Sequence, residues 1–94
     1  MEIGFDPAKS RMNLADGSRG FGFEIVAGFD FETAEIFEDD RFDYGEIRYI
    51  ALGRIGPRVH VVVFTLREPV LWVISLRKAN ERETRRYVRY LEAG

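Results

Sequence analysis

Three apolar stretches, joined by connections too short for a crossover, constrain this chain more than any other feature. Across residues 47–52, Ile47, Tyr49 and Ala51 alternate with Arg48, Ile50 and Leu52; residues 53–57 supply a turn, and residues 58–66 are rich in valine. A third stretch, 70–76, follows across the tight connection Arg67-Glu68-Pro69. Parallel neighbours need crossovers of a dozen or more residues, so strands joined this closely predict an antiparallel meander. Asn80 then reads as the N-cap of a closing helix, with Glu83 three residues on in the capping-box position. Ahead of the meander, residues 2–6 predict a short strand. Asp6-Pro7 predicts a helix start, with the helix running over 8–15 until Asp16-Gly17-Ser18 ends it. Residues 23–27 fit helix or strand, whereas 31–37 read as helical, with Ala34 and Phe37 three apart and Asp30 as cap. The expected class is α+β: N-terminal helices, a three- to four-stranded antiparallel sheet meander, and a C-terminal helix.

Ninety-four residues have room for one domain spanning 1–94, and 46% hydrophobic content is enough to give it a core. With no cysteine, packing alone must hold that core together. No apolar run approaches the roughly 20 residues of a membrane helix, and Met1-Glu2-Ile3-Gly4-Phe5-Asp6 lacks the basic and apolar regions of a signal peptide. A soluble, unprocessed cytoplasmic chain with no membrane contact is the expectation.

The net charge of −2 conceals a split. Residues 1–46 carry twelve Asp/Glu against four Lys/Arg, a formal −8, while residues 47–94 carry four against ten, a formal +6. Twelve of the fourteen basic residues are arginine, whose planar fork suits a phosphate and stacks on a base, although a GC-rich coding sequence also enriches arginine. On the closing helix, at 100° per residue, Arg82, Arg85, Arg86 and Arg89 share an arc of about 100°, opposite Tyr87, Val88, Tyr90 and Leu91. That arc is either an RNA-binding face or a plain surface on which Glu81 pairs with Arg85 and Glu83 with Arg86.

Arg19-Gly20-Phe21-Gly22-Phe23 matches half of an RNA-recognition strand element, but only eighteen residues precede it where a strand and helix should stand. The glycines spell neither a P-loop nor a dinucleotide fingerprint. Glu38, Asp39, Asp40, Asp43 and Glu46 lack EF-hand spacing and a nearby His or Cys, so they read as a solvated acidic face, and no metal or other cofactor is expected. His60, the only histidine, shares its alternation with Arg58, Val62 and Phe64, a mixed face that leaves packing and catalysis both open. Arg67 and Arg77 end two of the strands, where their guanidinium groups either gather around a phosphodiester or stand as scattered surface charges.

The chain resembles the BrnT toxins of bacterial type II toxin–antitoxin systems. The resemblance lies in Phe5-Asp6-Pro7-Ala8-Lys9 with Asn13, in Phe29-Asp30-Phe31 with Thr33-Ala34, and in Glu38-Asp39 followed by Asp43-Tyr44-Gly45-Glu46 and Arg48. It continues through Ala51-Leu52-Gly53, Arg58-Val59-His60-Val61 and Val73-Ile74-Ser75-Leu76-Arg77-Lys78-Ala79-Asn80 with Arg82-Glu83 and Tyr87. It implies a RelE-like ribonuclease that lowers translation. It also implies a cognate BrnA-like antitoxin partner, whose DNA-binding end brings the complex to operator DNA. Two departures stand out: Ser18-Arg19-Gly20, in an altered loop over 17–22, replaces a Lys-His-Gly common in relatives, and Trp72 stands where many carry arginine.

RNA cleavage without a metal needs a base for the 2′-OH, cations for the phosphorane and an acid for the leaving 5′-oxygen. Glu46 or His60 is the expected base or acid, Arg48, Arg67 and Arg77 the phosphate stabilisers, and Tyr87 a stacking or proton-donating group. Two other readings compete: a non-catalytic nucleic-acid- or partner-binding module of the same fold, and a structural subunit that pairs through its sheet edge.

Overall fold

A computed structural model describes residues 2–17 and 19–94; Met1 and Ser18, and with Ser18 part of the predicted 16–18 helix break, lie outside the described residues. The chain runs through β1 (Glu2–Phe5), α1 (Pro7–Ala15), a 3-10 helix (Phe23–Gly28), β2 (Glu35–Glu38), β3 (Arg48–Ile55), β4 (Arg58–Arg67), β5 (Val70–Lys78) and α2 (Glu81–Ala93). The strands form one sheet in the order β1-β5-β4-β3-β2. The expected antiparallel meander is its centre, β3 to β5. The sheet is nevertheless mixed and has five strands, because β1 pairs in parallel with β5 on the outside.

Both helices form where cap chemistry predicts them. The Asp6 side chain accepts from the Ala8 N–H at 2.9 Å, and Pro7 occupies the first helical position, where its missing N–H costs nothing. Asn80 and Glu83 complete a reciprocal capping box at the start of α2. The helix expected over 31–37 does not form. Residues 32–33 bend, Asp30 accepting from the Glu32 and Thr33 N–H groups, and Glu35–Glu38 is a strand on the edge of β3. The three-residue spacing of Ala34 and Phe37 is therefore coincidental; strand alternation puts Phe37, opposite Ile50, on one face and Ile36, opposite Ala51, on the other.

The sheet is buried on both faces. On the first, Phe23, Val26, Phe29 and Ala34 from the connection between α1 and β2 pack over Ala51, Val62, Phe64, Val73 and Leu76. Gly53 admits this layer, since a Cβ there would lie 2.6 Å from the Phe29 ring. On the second face, Tyr87 of α2 joins Leu52, Val59, Val61 and Ala79, with Ile50 and Leu91 at the margin. The helix covers only part of this face, and the uncovered part is a cleft.

A β-bulge decides what lines that cleft. The β4–β5 register slips between Val63, opposite Ser75, and Phe64, opposite Val73, so Ile74 is the extra residue. Strict alternation would have put Arg77 on the same face as Val73. The bulge reverses the parity, and Arg77 pairs with Val61 on the second face.

Candidate active site: an arginine cleft

The cleft encloses about 470 Å³, with Ile50, Leu52, Val61 and Val63 as its apolar floor. Four arginines line it: Arg41 from the β2–β3 connection, Arg48 at the start of β3, Arg77 near the end of β5, and Arg86 on α2. Asp39 and Glu83 are the carboxylates among the lining residues.

Three of these arginines are held by carboxylates. Arg77 donates to both Glu83 oxygens at 2.7 and 2.8 Å, a two-point clasp, while Glu83 also accepts from the Asn80 N–H at 2.9 Å. The same residue thus caps α2 and aims a cleft arginine. Arg86 makes a similar pair with Glu35 at 2.9 and 3.1 Å and lies over the Phe37 ring. Arg41 binds Asp39 at 2.8 and 2.9 Å. Hydrogen bonds from Arg41 hold the Asp39 carboxyl far below the usual range, and the Arg77 guanidinium depresses Glu83 in the same way. Both are ionised at neutral pH and are weak proton acceptors.

Arg48 is different. Its guanidinium lies 3.8 Å from the centre of the Tyr44 ring, and its buried Nε has no hydrogen-bond partner among the described residues. Tyr44 is oriented in turn by donating its hydroxyl to Asp39 Oδ2 at 3.1 Å. A guanidinium held by stacking rather than by a carboxylate keeps its charge uncompensated at the cleft wall.

Of the residues expected at the site, Arg48 and Arg77 meet here and four others do not. Glu46 and Arg67 form an exposed ion pair at 3.0 Å, beside Trp72, whose ring centre is 4.9 Å from the Arg67 guanidinium. Arg67 lies six residues along β4 from Val61, the partner of Arg77, or about 20 Å at strand rise. Arg67 also lowers the Glu46 pKa, the reverse of the upward shift a neutral-pH base would need. His60 is 5% exposed on the first face, edge-on to Phe21, with Nδ1 donating to the Arg58 carbonyl at 2.9 Å. The sheet therefore separates it from Arg77. Tyr87 is fully buried, its hydroxyl 3.1 Å from Thr33 Oγ1. On α2 only Arg86 enters the cleft; Arg82, Arg85 and Arg89 are exposed outside it, with Arg85 tied to Glu81 at 2.8 Å.

Arg41 and Tyr44 line the cleft without having been singled out for it. Arg41 is masked in sequence by the acidic run around it, and its bond to Asp39 explains how one member of that run comes to be buried. Among the described residues no group of three or more His, Asp or Glu side chains is arranged to hold a metal ion, and no helix is long and apolar enough to cross a membrane.

Residues 5–83 match the family described as ribonuclease toxin, BrnT, of type II toxin–antitoxin system. The chain belongs to the BrnT family. No curated protein and no solved structure gives a significant match. The matched span includes Arg41, Tyr44, Arg48, Arg77 and the capping-box Glu83, so all but Arg86 of the cleft's charged lining falls inside the BrnT match.

Proposed function

We propose that this BrnT chain is a metal-independent endoribonuclease of RelE-like architecture that cuts RNA in the arginine cleft and thereby lowers translation. The observation that carries the proposal is Arg48, stacked on Tyr44 at the cleft wall and, unlike the other three cleft arginines, clasped by no carboxylate among the described residues. A phosphodiester in the cleft takes the Arg48 guanidinium as its cation, and Arg77 across the floor approaches the same phosphate. As the 2′-oxygen attacks, charge builds on the phosphorane oxygens, and the preset guanidinium groups stabilise it without reorganising. Among the lining residues the proton-transfer groups are Tyr44, Asp39 and Glu83; with both carboxylates strongly ionised, charge stabilisation is the larger contribution and proton transfer the smaller. Glu46, Arg67, His60 and Tyr87 then act outside the cleft: the first two as a surface clasp, the last two as core residues.

The family description supports a partner antitoxin, and we propose a BrnA-like, DNA-binding one that covers the cleft and carries the complex to operator DNA. Induction of the chain is expected to arrest growth, and co-expression of the adjacent open reading frame to reverse the arrest.

A second reading, a module that binds RNA without cutting it, is favoured by one specific observation: three of the four cleft arginines are already neutralised by carboxylates. Incubating purified chain with RNA in EDTA separates the readings. Cleavage that survives EDTA and is lost in Arg48→Ala supports the nuclease. Intact RNA with salt-sensitive binding supports the module.

A further inference from the structure

The cleft does not stop at β5. β1 pairs with β5 only from Val70 to Val73, and at Asp6 the chain turns away into α1. Among the described residues no strand lies against the outer edge of β5 from Ile74 onward, and the bulge falls at this point. Ile74 and Ser75 line the arginine cleft on one side of this open edge. On the other side they line a second hollow, of about 290 Å³, whose opposite wall is α1. The two hollows therefore flank the same strand edge and share Ile74 and Ser75 as a common wall.

The second hollow is basic and built on a buried frame. Asn13, 5% exposed, donates to the Phe21 carbonyl at 2.8 Å and accepts from Arg19 at 2.9 Å, which fixes the Arg19 guanidinium at the rim. Lys9 stands one helical turn before Asn13 on the same wall. Asp16 also lines the hollow, so two cations face one carboxylate. Met12, 72% exposed, adds a soft apolar surface of the kind on which a base can rest.

We infer that this hollow is a second phosphate subsite, through which single-stranded RNA leaves the arginine cleft by crossing β5 at Ile74 and Ser75 to reach Lys9 and Arg19. The inference rests on the reading of the cleft as an RNA site. It assigns a role to the loop after α1, which the cleft itself does not use. A duplex is too stiff to follow the turn around a strand edge, so the path selects unpaired RNA.

Each cation that neutralises a phosphate of a single strand adds about 0.7 to the slope of log affinity against log salt. Titrating the purified full chain with a twelve-nucleotide unstructured RNA over a range of salt, in EDTA, tests the inference. Lys9→Ala/Arg19→Ala is expected to lower the slope by about 1.4, and Lys9→Ala alone by about 0.7, with the Tm of each recorded. Arg11→Ala removes the same charge from the far side of α1 and is expected to leave the slope unaltered. Equal slopes for the wild type, Lys9→Ala and Arg11→Ala would overturn the subsite. So would a double variant with a wild-type slope that escapes silencing by the antitoxin, because the hollow would then belong to the protein partner. If RNA binds with the predicted slope changes but stays uncut, the subsite stands and the nuclease reading fails. If the wild type binds no RNA, both fail.

Discussion

On the proposed nuclease reading, Arg48 is the side chain whose loss should matter most. Arg48→Ala is expected to lower cleavage by roughly tenfold to a thousandfold, corresponding to about 1.4–4 kcal/mol of lost charge stabilisation, with little change in Tm. Arg48→Lys should not restore it, because an ammonium cannot both stack on Tyr44 and present a fork to phosphate. Single-turnover cleavage of a fluorescent RNA measures both. His60 gives a prediction about stability instead. Burial, with smaller contributions from the Arg58 and Lys78 charges, lowers its pKa in the folded chain below the ordinary 6.5. The unfolded chain therefore takes up the proton first as pH falls. Stability is full above about pH 6.5, declines as pH drops through the window between the two values, and levels off below the folded one. Thermal melts should show Tm falling from pH 7.5 to 5.5, and His60→Gln should flatten that stretch. The alternation of His60 with Val62 and Phe64 was readable in the sequence. That this was the core face was not, because the layer covering it comes from residues 23–34, far away along the chain.

Elements with local chemistry were the legible ones. Asp6-Pro7 and Asn80 with Glu83 announce α1 and α2 because caps are specified within four residues. The meander was legible because its turns are short. Three features needed partners distant in sequence: the pairing of β1 with β5, the strand character of Glu35–Glu38, and the bulge at Ile74. The bulge matters most for the site, since a reading by parity alone puts Arg77 on the wrong face. The capping box ties the two kinds of feature together. Asn80→Ala is expected to cost about 1 kcal/mol, seen as a lower midpoint in urea. By loosening Glu83 it should also weaken cleavage, although Asn80 does not line the cleft. Tyr87→Phe removes only the hydroxyl contact with Thr33; it should cost about 1 kcal/mol of stability and leave the cleavage rate unaltered.

At the scale of the molecule, the charge split in the sequence does not become two separate surfaces. The acidic half lends counter-ions to the basic half: Glu35 to Arg86 and Glu46 to Arg67, each from a segment distant in sequence. The clearest test is Glu35→Gln. Freeing Arg86 should tighten RNA binding and steepen its salt dependence by about 0.7, while exposed pairs of this kind shift stability by no more than about 1 kcal/mol. Filter binding at several salt concentrations measures the first and a melt the second. The parallel seam between β1 and β5 bears on how such a protein is made. The first strand of the fold has no neighbour until the last one exists, and Arg77 and Glu83 lie at or beyond that last strand. A ribosome that has finished β4 holds a chain with two of the four cleft arginines and an unseated leading edge. The cleft thus stays incomplete until synthesis of the matched segment is all but finished.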